Sequence, residues 1–118
     1  MTRRGEIVIL DVPYSDRTGS KVRPALIIQA DVYNQKLTQT VIAIITSSHR
    51  RIVGAKTQLF IDVTTTDGQK TGLRSDSVIQ CNHLVTINQA TIHNTIGRLS
   101  GSLMLQIDQC LKESLGIP

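Results

Sequence analysis

The chain of 118 residues has no tryptophan, and Tyr14, Tyr33 and Phe60 are its only aromatic rings. A protein that binds single strands by stacking bases on a row of rings needs more of them. Any reading of RNA bases would therefore lean on hydrogen bonds in a groove. Cysteine is as scarce: Cys81 and Cys110 stand far apart, with no pair at the short spacing of structural zinc sites or redox motifs. Both read as small, reduced core residues of a cytosolic protein. Cys81 and His83 are two metal ligands at most, short of a site, so no metal is expected. Long apolar runs are missing too. The longest, Val41 to Ile45, is far below the roughly 18 residues of a membrane span, and the run Ile7 to Leu10 behind Arg3 and Arg4 stops at Asp11, so no export signal is expected. A soluble, cytoplasmic protein with no membrane partner is expected.

What is present suits one domain over residues 1–118, a length that buries a working core. Hydrophobic residues at 40% and charged ones at 19% place the chain with globular proteins and away from disordered ones. The net charge of +4 is uneven: residues 1–58 carry nine Lys/Arg against four Asp/Glu, and residues 59–118 four against five. The basic surface belongs to the first half, which favours a polyanionic partner.

Local patterning predicts many short strands and one closing helix. Glu6 to Val12 reads as a first strand stopped by Pro13. Residues 13–22, rich in Pro, Gly, Ser and Asp, read as a mobile flap. Ala25 to Ile28 is apolar without alternation, as in a strand covered on both faces. Ala30 to Lys36 reads as a helical turn with Asp31 as its cap. Val41 to Thr46 is a second fully apolar strand, Gln58 to Val63 a further one, and 64–72 a polar excursion turning at Asp67-Gly68. Strands are expected around 77–79, at 84–87 and at 96–99. From Ser100 or Ser102 to Leu115 the period lengthens: Leu103, Ile107, Leu111 and Leu115 form one helical stripe, with a serine to start it and Gly116 to end it. Strands plus a terminal helix make a mainly β, α+β fold, a small barrel or curled sheet with the helix packed on it.

Lys21 to Gln29 (KVRPALIIQ) is the stretch that carries chemistry. Proline bars the helical basin to the residue before it, so Arg23 is extended at the mouth of a buried strand. An arginine on stiff backbone at the rim of a core suits the fixed geometry of a phosphate or carboxylate ligand. The other apolar strand ends in Thr46-Ser47-Ser48-His49-Arg50-Arg51, which delivers polar groups to one point. If the two strands are antiparallel neighbours, the start of one lies beside the end of the other and Arg23 meets Thr46. A guanidinium and a hydroxyl at one spot clamp a phosphate. Cleaving RNA through its own 2′-hydroxyl requires alignment and stabilisation of charge on the phosphate oxygens, with no protein nucleophile. An imidazole as a side-chain type titrates near neutral pH, which makes His49 a candidate for proton transfer. Arg50 and Arg51 are candidates for tracking the RNA backbone. Ser47 and Ser48 show no partner base in the sequence, so a serine nucleophile is not expected. His83 and His93 read as structural or surface residues.

The segments RRGEIVILDVP, RPALII, the strand end ITSS, GLRSDSVIQCNHLVTI and IGRLSGSLMLQIDQCLKESLGI, with the Gly19 loop between the first two, resemble in order the MazF/PemK family of toxin endoribonucleases over nearly the whole chain. The resemblance implies an SH3-like, MazF/CcdB-like barrel with a C-terminal amphipathic helix. It implies a homodimer that cuts single-stranded RNA without a metal or other cofactor and is held inactive by a cognate, MazE-like antitoxin. The family's catalytic arginine and threonine fall on Arg23 and Thr46. Its groove-shaping loop falls on 13–22, which makes Tyr14, Arg17 and Lys21 candidate RNA contacts beside Arg50 and Arg51. Some members carry an arginine and an aspartate where this chain has Gln80 and Asn82, so an acid and base pair does not transfer to those positions. Gln80, Asn82, Ser47 and His49 remain candidates for proton transfer or substrate positioning. The expected function is a sequence-specific, metal-independent endoribonuclease toxin. The alternative is a non-catalytic toxin or binding module on the same barrel, acting on a protein or on uncut nucleic acid.

Overall fold

A computed structural model describes residues 2–13 and 19–118. Its six strands, in chain order, are β1 (Glu6–Pro13), β2 (Ser20–Ile27), β3 (Gln39–Ser47), β4 (Gln58–Ile61), β5 (Ser77–Asn88) and β6 (Ile92–Arg98). All pairings are antiparallel, in one curled sheet of order β4-β5-β3-β2-β1-β6 that does not close into a full barrel. Among the described residues there are three α-helices, α1 (Asp31–Lys36), α2 (Thr66–Gln69) and α3 (Gly101–Leu115), and two single 3₁₀ turns, Ser48–Arg50 and Gln89–Thr91.

The central strands β1, β2 and β3 are unalternating apolar runs because both faces of the sheet are covered. On one face Ile7, Leu26, Ala43, Ile45 and Ile79 pack with Ile107 and Cys110 of α3. On the other, Val8, Leu10, Ala25, Ile27, Ile42 and Ile44 pack against Val85, Ile87 and Ile92, from the far half of β5 and the start of β6. A register shift between Ala43 and Ile44 lets β5 bend over that second cluster. This is why the expected strands at 77–79 and 84–87 form one element of 12 residues. The long reach of β5 also curls the sheet without a separate connection.

Three other expectations are corrected. The flap expected over 13–22 is shorter, because Pro13 pairs with Ser20 and Val12 with Lys21. Asp31 does not cap α1: the N-cap is Ala30, and the Asp31 carboxylate accepts from the Arg4 backbone N–H at 2.6 Å. The polar excursion after β4 contains α2, whose N-cap Thr65 accepts from the Gly68 N–H at 2.9 Å. The closing helix is as expected at both ends, with the Ser100 hydroxyl accepting from the Leu103 N–H and Gly116 as C-cap. Leu115 of its stripe is exposed.

Part of the basic first half is structural. Arg4 donates from Nε to the Ile28 carbonyl at 2.8 Å and from its guanidinium to Asp108 at 2.7 Å, tying the chain start to α3. Arg4 therefore serves the fold, and the charge offered to a partner comes from elsewhere.

Candidate functional site

Register decides where the strand-end residues go. Ala25 pairs with Ile44, Leu26 with Ala43 and Ile27 with Ile42. Each step towards the start of β2 is a step towards the end of β3, so the row two places beyond Ala25 and Ile44 holds Arg23 and Thr46. In that row Leu10 pairs with Arg23, Thr46 with Val78, and Phe60 with Val78. Alternation keeps Arg23 and Thr46 on the same face of the sheet. Both are half-buried, and both border a cleft of about 700 Å³ at this end of the sheet.

The cleft carries a clear sign. Lys21, Arg23 and Arg74 border it, together with Thr46, Ser47 and His49. Among the described residues no Asp or Glu lines it. Three cations without a carboxylate make a field that favours an anion, and the apolar row Ile9, Pro24 and Ile45 lines the cleft from the face of the sheet opposite Arg23 and Thr46.

Thr46 is oriented from behind. The Gln80 side-chain amide donates from Nε2 to Thr46 Oγ1 at 2.8 Å. With its oxygen accepting, the threonine has its own O–H free to donate, which is the polarity a phosphate oxygen needs. Gln80 thus acts through Thr46. Asn82, its partner in the sequence reading, is exposed and does not border the cleft.

The reading that Ser47 has no partner base is corrected. A single 3₁₀ turn over 48–50 folds the chain back, and Ser47 Oγ lies 2.6 Å from His49 Nδ1. That bond ties one ring nitrogen and leaves Nε2 for a substrate. Both residues are exposed, and among the described residues no carboxylate bonds to His49, so the pair lacks the orienting third member of a nucleophilic triad.

The remaining candidates divide. Lys21 is exposed and borders the cleft. Arg51 lies outside it, with its guanidinium 4.4 Å from the centre of the Phe60 ring, at the end of the row that holds Thr46 and Arg23. A cation on an aromatic face is held in place, which continues the basic track across the strand ends. Tyr14 and Arg17 lie outside the described residues, as does the Arg50 side chain. His83 is exposed, and His93 sits 3.2 Å from Asp11, a surface pair. Among the described residues no three His, Cys, Asp or Glu side chains converge as a metal site would require. Cys81 and Cys110 are free and buried in the core. Burial, with the Cys110 thiol beside it, pushes the Cys81 thiol up to about 12, and burial raises Cys110 as well.

Sequence reasoning missed Arg74. The signal was there in the form already used for Arg23, a basic residue just ahead of a buried strand, here Val78 and Ile79. It lies in the lead-in to that strand, just past the polar excursion at 64–72.

Residues 3–115 match the family model for the PemK-like, MazF-like toxin of type II toxin-antitoxin systems. The chain is 33% identical over 115 residues to the endoribonuclease MazF6 of Mycobacterium tuberculosis, a match that spans 97% of this chain and 96% of that protein. Among solved structures, the Mycobacterium tuberculosis toxin MazF-mt6 superposes with a TM-score of 0.75 at 25% identity, over 96% of this chain and 98% of that one. An endoribonuclease from a mycobacterial species, solved in complex with its cognate antitoxin, shares the fold with a TM-score of 0.79 at 19% identity, over 100% and 98% of the two chains.

Proposed function

This chain belongs to the PemK-like, MazF-like toxin family of type II toxin-antitoxin systems, and from that premise we propose that it is an endoribonuclease toxin that cuts single-stranded RNA at short motifs. It acts in the cytoplasm as a homodimer, and a cognate antitoxin silences it by covering the basic cleft. The observation that carries this reading is the convergence of Arg23 and Thr46 in one row at the mouth of a cleft with three cations and no carboxylate among the described residues.

The chemistry follows from those groups. The ribose 2′-hydroxyl of the substrate attacks the adjacent phosphorus, and the bond from phosphorus to the 5′-oxygen of the next nucleotide breaks. The products are a 2′,3′-cyclic phosphate, which can open to a 3′-phosphate, and a 5′-hydroxyl. Negative charge grows on the two non-bridging oxygens in the transition state. The Arg23 fork neutralises it, and the Thr46 hydroxyl, turned outward by Gln80, donates to it. One proton leaves the 2′-hydroxyl and one reaches the departing 5′-oxygen. His49 is the imidazole in the cleft, with Nδ1 tied to Ser47 and Nε2 available for that traffic. Lys21, Arg51 and Arg17, the one basic residue of the loop before β2, hold the flanking backbone.

The test is cleavage of a diverse end-labelled single-stranded RNA pool in EDTA, with end mapping. The expected result is cutting at a short recurring motif with cyclic-phosphate or 3′-phosphate ends, abolished by Arg23→Ala in a protein that keeps its fold. A folded wild-type protein that binds RNA and cuts none of it refutes the nuclease reading and leaves the non-catalytic module.

A further inference from the structure

The segment between α2 and β5 is built as a strut. At its start the Arg98 N–H donates to the Lys70 carbonyl at 3.0 Å, and two glycines let the backbones of 70–72 and 96–97 touch. A Cβ on Gly72 would fall 2.1 Å from the Ile96 carbonyl oxygen, and one on Gly97 2.3 Å from the Thr71 carbonyl carbon. At its other end Asp76 is held twice: its carbonyl accepts from the Ser48 N–H at 3.2 Å, and its carboxylate accepts from the Val63 N–H at 3.0 Å. The segment therefore runs from β6, at one edge of the sheet, to the end of β3 near the far edge. Between those anchors it carries Gly72, Leu73, Arg74 and Ser75 along the cleft. Arg74 is exposed, yet its backbone is pinned on both sides.

A guanidinium presented from a fixed strut serves a defined position on the ligand better than general attraction, which Lys21 at the start of β2 already supplies. The cleft also has room for more than one phosphate, since its volume of about 700 Å³ is over twenty times the roughly 30 Å³ of a water. Arg23 takes the scissile phosphate from the mouth of β2, while Arg74 enters from a separate segment, so the two guanidiniums serve different anionic groups.

We propose that Arg74 binds a phosphate flanking the scissile one, and so fixes which linkage of the strand lies between Arg23 and Thr46. This rests on the nuclease reading for the word scissile; the phosphate contact itself is tested by binding. The probe is the RNA defined by end mapping, made uncuttable by a 2′-deoxy sugar at the cut, in versions with a single neutral methylphosphonate at each linkage near the cut in turn. With the all-phosphate strand, Arg74→Ala is expected to weaken binding on the order of tenfold at low salt and to lower the slope of log affinity against log salt by about 0.7, the loss of one single-strand phosphate contact. Arg74→Lys keeps most of that slope. One neutral linkage beside the cut should weaken wild type by a similar factor and have no further effect on Arg74→Ala. With cuttable RNA, KM rises more than kcat falls, and some cuts move to a neighbouring linkage.

Unchanged affinity and slope in a folded Arg74→Ala overturns the proposal, as does additivity with every neutral linkage. Should the alanine variant unfold, Arg74→Gln answers the same question. A wild-type protein that binds RNA without cutting it removes the nuclease reading, and the salt slope on a uniform oligonucleotide still decides whether Arg74 holds a phosphate.

Discussion

Gln80→Leu isolates the polarity of the Thr46 hydroxyl. The amide donates to Thr46 Oγ1 at 2.8 Å and does not itself border the cleft, so leucine removes the donor at similar volume and touches no substrate. A neutral hydrogen bond contributes about 0.5–1.5 kcal/mol net. At 1.36 kcal/mol per tenfold in rate, the single-turnover cleavage rate should fall about 2- to 13-fold, with substrate affinity little changed and the melting temperature within about 5 °C of wild type. The effect has to travel through Thr46. In a Thr46→Val background, where no hydroxyl remains to be oriented, Gln80→Leu should change nothing further. Gln80→Glu is expected to be worse than leucine, because a carboxylate accepts where the amide donated, turns the threonine proton inward and adds negative charge beside the phosphate. The assay is a quenched fluorescent RNA cut under excess enzyme. A full rate in Gln80→Leu, or an equal further loss in the Thr46→Val background, would refute the reasoning.

Gly72→Ala and Gly97→Ala each push a Cβ to within about 2.4 Å of backbone across the strut contact, and Gly72 also sits at φ +73°. Each should destabilise by about 2 kcal/mol or more and lower the melting temperature on the order of 10 °C, whereas Gly101→Ala, with open space around its Cβ, should melt like wild type; equal melting of all three variants would contradict the close approach. The raised Cys81 thiol predicts an alkaline weakness. Folding favours the protonated thiol, so its contribution is full below the unfolded value near 9 and is lost as pH rises towards about 12. Stability measured by urea unfolding should fall across that window less steeply in Cys81→Ala than in wild type. An equal slope in the two proteins would mean that Cys81 does not supply it.

Much of this site was legible because two simple patterns converged. Pro24 fixes Arg23 as extended, and the unalternating ALII and VIAIIT runs announce covered strands whose ends must surface; antiparallel pairing then brings Arg23 to Thr46. The closing helix was legible from its four-residue stripe and its caps. What could not be read were features made by distant backbone. The bulge that makes β5 one strand depends on β3 lying beside it. Gly72 reads only as the end of a polar excursion and Gly97 as part of a strand until the fold shows that each makes room for the other's segment, and Arg74 takes its place from that contact. The Ser47 to His49 bond needs a 3₁₀ turn that no local signal marked. Arg4 read as free basic surface because its partners, Ile28 and Asp108, lie 24 and 104 residues away.

The account stands on one phosphate shared by a guanidinium and a threonine hydroxyl, and a double-mutant cycle on Arg23→Ala and Thr46→Val measures that sharing directly. Removing one preorganised donor of this kind costs about 10²–10³ in rate. If both groups grip the same phosphate, the double variant should be at least about tenfold faster than the product of the two single losses predicts. Losses that multiply in full, or a single variant that cuts at the wild-type rate with its fold intact, would contradict it.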